Sequence, residues 1–331
     1  MIINTLFTSV GRRVELMDAW RRAYKDLGVD GKIVGTDIDP LAPALRGVDI
    51  GYIVPIVTSA GFVTSLEKIC KREQVHLIFP LIDPDIPVLA ENRERLESHG
   101  AKLVVSPIES VCTTRDKWLT SAFFNEIGVA SPASWLPGTF DPAELEYPVF
   151  IKPRHGSAAK ETHKVNTAAD MNYFLATVDN PVIQEFLPGP EITNDVVCDF
   201  DGKVLNVVLR QRIEVRWGEV AKGKTIFNQD IINDCVTIAK RLKAIGPITI
   251  QCITKDDRHY FTEINMRYGG GAPLGIAAGV DSPRWYLALI SGKEVDIPPL
   301  GSYRENLYLS RYDTSTFLSE DDLNRIKSSR I

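Results

Sequence analysis

The first hundred or so residues constrain this chain most, because they alternate short apolar runs with amphipathic stretches, the pattern of a βαβ array around a mostly parallel sheet. Strands are expected near residues 2–8, 32–36, 52–55, 77–81 and 102–105. Between the first two, Val14, Met17, Trp20, Tyr24 and Leu27 recur at helical spacing, and Gly28 stands where a C-terminal cap belongs. The turn into that helix, Thr8-Ser-Val-Gly-Arg-Arg13, sets backbone N–H groups and two arginines at a helix N-terminus, a natural anion site. It is not G-x-G-x-x-G, so dinucleotide binding gains no support.

A chain of 331 residues exceeds the size at which one core keeps growing, so two or three subdomains around a shared cleft are expected. The texture changes near residue 110, where a helix over about 115–127 precedes a Gly/Pro/Ser-rich connection through Gly138 and a strand at 147–152. Strands at 163–166 and 181–186 and a helix at 170–177 complete a small α+β unit. A hairpin then pairs 191–200 with 203–215 around Asp201-Gly202. Alternation along its strands puts Glu191, Thr193, Asp195 and Asp199 on one face, and Arg210, Arg212 and Glu214 together on one face of the returning strand. A helix at 231–244 leads to a second hairpin, 248–254 with 259–265, turning at Lys255-Asp-Asp-Arg258.

That second hairpin holds the clearest chemistry. Glu263 and Asn265 lie two apart on an extended strand, so their side chains point the same way, about 7 Å apart. A symmetric turn puts Gln251 opposite or nearly opposite Glu263, giving three oxygen-bearing side chains on one patch. Mg²⁺ takes such oxygens together with phosphate oxygens and water. Arg267 adds a positive charge beside them, and the run Gly269-Gly-Gly271 permits close backbone approach to a ligand. Taken alone, Glu-x-Asn describes an ordinary polar strand; its position downstream of other landmarks gives it weight.

Those landmarks are Asp116-Lys117 opening a helix, Pro148-Val-Phe-Ile-Lys-Pro153 with Gly156-Ser157, Gln184-Glu-Phe-Leu-Pro-Gly-Pro-Glu191, Gln251, and Glu263-Ile-Asn-Met-Arg267. In this order and spacing, over roughly residues 1 to 290, the chain resembles the ATP-grasp superfamily, and proteins similar to the large chain of carbamoyl-phosphate synthetase in particular. The resemblance implies an α/β and α+β architecture: a Rossmann-like pre-ATP-grasp domain over residues 1–110, a small ATP-grasp lobe over 111–187, and a large lobe with a tail over 188–331. It implies ATP-binding roles for Lys117, Lys152, Ser157, Gln184, Glu185, Phe186, Leu187 and Glu191, the last toward ribose. It implies magnesium or manganese at Gln251, Glu263 and Asn265, and catalytic roles for Lys152 and Arg267. Many family members have Asp or Glu where Gln251 stands, and His155 interrupts a loop often richer in Gly and Ser.

The activity so implied is a carboxylate–amine ligase that uses ATP to make an acylphosphate for attack by an amine. A kinase of a small-molecule hydroxyl and a non-catalytic nucleotide-binding module are the alternatives. The carboxylate is expected near Arg267, with Arg210 and Arg212 either in the same pocket or in a charged sheet face paired with Glu191 and Asp195. Ser9, Gly11, Arg12 and Asp83, at the C-terminal ends of expected strands, are candidates for the second substrate. The formal charge of −5 calls for no nucleic acid, and no run approaches the ~18 apolar residues of a membrane span. Five cysteines without a C-x-x-C pair fit a reducing cytoplasm, and a homodimer is allowed. Walker, nucleophile-elbow, H-E-x-x-H and EF-hand patterns are missing, and the five histidines show no ligand spacing.

Overall fold

The computed structural model describes residues 2–156, 161–216 and 218–328. Its first unit alternates β1 (Asn4–Thr8), α1 (Val14–Leu27), β2 (Ile33–Asp37), β3 (Ile50–Ile53), α2 (Gly61–Arg72), β4 (Val75–Pro80), α3 (Asp85–Glu91), α4 (Arg93–Glu97) and β5 (Lys102–Leu103). The strands form a wholly parallel sheet in the order β3-β2-β1-β4-β5, as the alternation of apolar runs requires. Gly28 ends α1 at φ 56°, a left-handed conformation that suits glycine. The order reverses between β1 and β4, so the loops following those two strands face each other across the crevice where ligands of open α/β sheets bind.

Two helices follow where one was expected over 115–127. α5 (Ile108–Arg115) and α6 (Lys117–Glu126) are separated by Asp116, whose extended backbone and carboxylate cap α6 by accepting from the N–H groups of Trp118 and Leu119. Both helices pack against β14 (Arg258–Asn265) of the large sheet, and Phe124 lies 6.0 Å from Phe261 between ring centres. Residues 108–126, grouped by sequence largely with the small lobe, therefore share the core of the body. The small lobe proper is a four-stranded sheet, β6-β9-β7-β8, of β6 (Ser134–Trp135), β7 (Val149–Pro153), β8 (His163–Val165) and β9 (Pro181–Glu185), with α7 (Ala168–Thr177) against it. Its core is small and its own, built on Val149, Ile151, Val165, Met171, Val178 and Ile183.

The large lobe is a six-stranded sheet in the order β14-β13-β10-β11-β12-β15. Its strands are β10 (Glu191–Cys198), β11 (Val204–Arg216), β12 (Glu219–Ile226), β13 (Pro247–Lys255), β14 (Arg258–Asn265) and β15 (Tyr308–Ser310), with α8 (Gln229–Arg241), α9 (Ala272–Ala277) and α10 (Ser282–Ser291) packed around them and α11 (Glu320–Ser328) at the end of the chain. The expected hairpins are present, while β12 and β15 had no sequence signal. Two buried clusters run through the N-terminal unit and the large lobe together. In one of them Trp20 and Phe79 meet Tyr286 at 6.4 and 5.3 Å between ring centres. Aromatic contacts of this kind fix the N-terminal sheet rigidly against the large lobe.

Candidate nucleotide and acid site

β13 and β14 turn at Asp256 and Asp257, whose φ values of 50° and 59° are those of a two-residue hairpin with the twist of its strands. Counted from that turn, Gln251 would face Thr262. A bulge intervenes: Cys252 pairs with Phe261, but Gln251 pairs with Glu263 and Thr249 with Asn265. One extra residue thus brings Glu263 and Asn265 to the same face as Gln251 instead of the opposite one. The three expected residues, one carboxylate and two amides, therefore share one face of the hairpin. Among the described residues no group of three His, Cys, Asp or Glu could hold a metal. That donor set fits magnesium held largely by phosphate oxygens and water.

Lys117 and Lys152 lie near the same patch, each within electrostatic reach of Glu263. Lys117 Nζ donates to the Gly156 carbonyl at 3.0 Å, and its backbone N–H donates to the Arg154 carbonyl at 3.0 Å. Arg154 in turn grips Asp116 with two donors, at 2.5 and 3.2 Å, so the start of α6 is tied to the strand end carrying Lys152. Burial pushes the Lys152 amine down to about 8, against the attraction of Glu263 and Glu191. Burial likewise lowers Lys117, opposed by Glu263, Asp116 and Asp83. Two lysines held below their ordinary basicity beside so few carboxylates are short of negative charge. A cavity of about 150 Å³ lies here, lined among others by Asp83, Lys117, Gly156, Glu263, Asn265 and Met266. Ser157 lies outside the described residues.

The remaining nucleotide candidates line the junction of the lobes. Val149, Ile151 and Ile183 fill the small lobe's core, so the alternate residues Phe150, Lys152 and Gln184 belong to the sheet's other face. Gln184 is buried and donates to Ser134 Oγ at 3.0 Å. Glu185 accepts from Lys255 Nζ at 3.2 Å, Phe186 stacks on Phe150 at 5.5 Å, and Leu187 is buried. Glu191 accepts from Arg212.

Of the expected acid-binding residues, Arg267 meets Asp83 at 2.6 Å, while its Nε is buried with no partner. Such an orphaned donor costs about 1–3 kcal/mol until an acceptor reaches it. Arg210 is different. It is buried in a two-pronged pair with Asp195, at 2.6 and 2.7 Å, and Arg212 pairs with Glu191, so the charged sheet face is present. The glycine run also has another reason than a ligand: a Cβ on Gly271 would lie 2.0 Å from Arg210 Nη1, and one on Gly270 2.8 Å from Arg13 Nη1.

In the crevice between β1 and β4, Thr8 and Ser9 donate to Asp85 Oδ2 at 2.6 and 2.7 Å, and the Gly11 N–H donates to Asp37 at 2.8 Å. Ser9 is thereby engaged by Asp85, a residue sequence reasoning missed, whose carboxyl burial pushes up to about 6. Arg12 is exposed, whereas Arg13 turns inward, where burial and then the nearby Arg267 and Arg311 lower it against the pull of Glu219. Arg13 was within reach of the anion-turn reading; Arg311, after β15, had no local signal at all.

Comparison with known proteins bears on the fold. Residues 5–104 match the family described as PylC-like, N-terminal domain, and residues 177–305 match ATP-grasp in the biosynthetic pathway with Ter operon. A protein of Methanobrevibacter smithii named carbamoyl-phosphate synthase is 27% identical over 248 residues, 69% of this chain and 67% of that one. The biotin carboxylase domain of the Hydrogenobacter thermophilus 2-oxoglutarate carboxylase, in complex with MgADP, ADP and bicarbonate, superposes with a TM-score of 0.70 at 18% identity, covering 92% of this chain and 73% of that one. An L-amino acid ligase of Bacillus licheniformis does so with a TM-score of 0.67 at 17% identity, covering 86% and 73%. The parallel N-terminal sheet and the two antiparallel lobes give the chain the ATP-grasp fold, with a segment similar to PylC-like N-terminal domains ahead of a segment similar to an ATP-grasp family.

Proposed function

We propose that this protein is an ATP- and magnesium-dependent ligase that activates a carboxylate as an acylphosphate and passes the acyl group to an amine. The observation that carries the reading is the convergence of Lys117, Lys152, Glu263 and Asn265 between two lobes, with Arg267 beside them holding an unused buried donor. Lys152 and Lys117 face the nucleotide phosphates and stabilise the charge that moves as the terminal phosphoryl group leaves. The strand and interlobe residues Gln184, Glu185, Phe186 and Leu187 meet adenine, and Glu191 accepts from the ribose. Glu263, Asn265 and Gln251 hold magnesium, which when bound neutralises phosphate charge. Arg267 orients the reacting carboxylate, its Nε gaining the acceptor it lacks, while Asp83 keeps the guanidinium in place. Closure of the small lobe excludes water from the acylphosphate.

The names of the relatives support the same reading, since an L-amino acid ligase and a carbamoyl-phosphate synthase are among them. ADP release measured over a matrix of carboxylates and amines tests it. Turnover is expected with at least one pair, and Glu263→Ala and Lys152→Met should each lower it by about 10²-fold or more. Undiminished turnover in Glu263→Ala would remove the metal assignment.

A further inference from the structure

Three guanidiniums come together where the N-terminal domain, the glycine run and the segment after β15 meet. Arg13 stands at the first position before α1, in the turn that follows β1, and Arg267 follows β14. Arg311 is seated by the β12–β15 pairing, its N–H donating to the Ala221 carbonyl at 2.9 Å. All three are mostly covered, with 16%, 15% and 23% of their side chains exposed. Arg311 gives Nη2 to the Gly270 carbonyl at 2.5 Å and to Glu15 at 2.8 Å, Nε to Glu15 at 3.1 Å and Nη1 to the Val220 carbonyl at 3.2 Å, which leaves one N–H of Nη1 facing Glu219. Gly270 is the pivot, because any side chain there would strike Arg13.

Glu15 pairs with Arg311 on one side, whereas Glu219, which stands between Arg13 and Arg311, is poorly placed for either. Its two oxygens each face one arginine at 3.6 Å, beyond hydrogen-bond range, and its side chain is 47% exposed. Glu219 starts β12, immediately after the hairpin turn, so it can swing into water at little cost. An anion of better reach would make charge-assisted hydrogen bonds that Glu219 does not. Arg267, meanwhile, is oriented by Asp83 and keeps its buried Nε for a different acceptor.

We infer that the acid substrate is a dianion, its reacting carboxylate on Arg267 and its second anionic group, a carboxylate or a phosphate, between Arg13 and Arg311 in place of Glu219. This rests on the ligase reading, which puts the acid at Arg267. It makes Arg13 of the N-terminal domain a specificity-determining residue and Glu219 an internal competitor for the same subsite.

The test is binding of succinate, glutarate, adipate and 3-phosphonopropionate against butyrate, measured by calorimetry on the full chain saturated with MgADP. At least one dianion should bind tenfold or more tighter than butyrate, and the carboxylate and phosphonate arms tell which second group the subsite takes. Arg13→Gln should abolish that preference with MgADP affinity unchanged. Glu219→Gln, a variant that leaves every arginine in place, should tighten the preferred dianion at least threefold, a gain that a merely structural role cannot give. Butyrate binding as well as every dianion, or a preference untouched in both variants, overturns the inference while the ligase reading stands. Failure of the wild-type chain to bind MgADP at all overturns the ligase reading and this inference with it.

Discussion

Lys152 is the residue whose charge most directly couples the cleft to pH. Its amine, pushed down to about 8 by burial, is protonated below that value and loses its proton above it. Nucleotide phosphates favour the protonated form, so MgADP affinity should be full below about pH 8 and weaken by up to tenfold per unit above it. Titration calorimetry between pH 7 and 9.5 should show this for the wild type, with Lys152→Met weak and flat. The unfolded chain keeps the lysine proton to about 10.4, so between the two values this group makes folding stability rise with pH. Asp85 works in the opposite sense. Its folded carboxyl holds a proton up to about 6, whereas an unfolded aspartate loses it near ~3.9, so its contribution to stability falls as pH rises through that window. Asp85→Asn should flatten the melting temperature against pH between 4 and 6. That Glu263 and Asn265 share a face could be read from strand alternation, whereas Lys117 and Lys152 were named only through the resemblance. Neither route reached Asp85 and Arg311, since their roles arise only where distant segments meet.

At the level of elements, the β13–β14 hairpin shows how a register detail decides chemistry. The two aspartates of the turn announced the hairpin, and alternation put Glu263 and Asn265 on one face; the bulge that turns them toward Gln251 left no mark in composition. A carboxylate in place of Gln251 would face Glu263 directly. Gln251→Glu should tighten magnesium-dependent nucleotide binding several-fold and lower the stability of the metal-free protein, both readable by thermal melts with and without MgADP. The glycine run carries a separate structural demand. Gly271→Ala drives a methyl group to 2.0 Å from Arg210 Nη1, inside the buried pair with Asp195, and should cost about 3–5 kcal/mol in chemical denaturation. β12 and β15 escaped the sequence reading because Glu219–Ile226 mixes charged and small residues, and strand status there comes from pairing with β11.

The whole molecule divides unequally. The N-terminal domain, α5, α6 and the large sheet share continuous buried clusters, while among the described residues the small lobe is built on a separate, smaller cluster. Amide exchange should therefore be faster in β7, β8 and β9 than in β10, β13 and β1, and MgADP should slow it selectively in the small lobe. The alternating pattern of the first hundred residues disclosed the parallel sheet, but nothing local disclosed that residues 108–126 pack on β14. The central claim is that these units close on ATP and a carboxylate to make an acylphosphate. Hydroxylamine trapping tests it most directly: with MgATP and the acid that supports ADP release, the wild type should accumulate a hydroxamate in step with ADP, and Glu263→Ala should not. ADP release from that acid with no hydroxamate, or hydroxamate formed equally by Glu263→Ala, would contradict it.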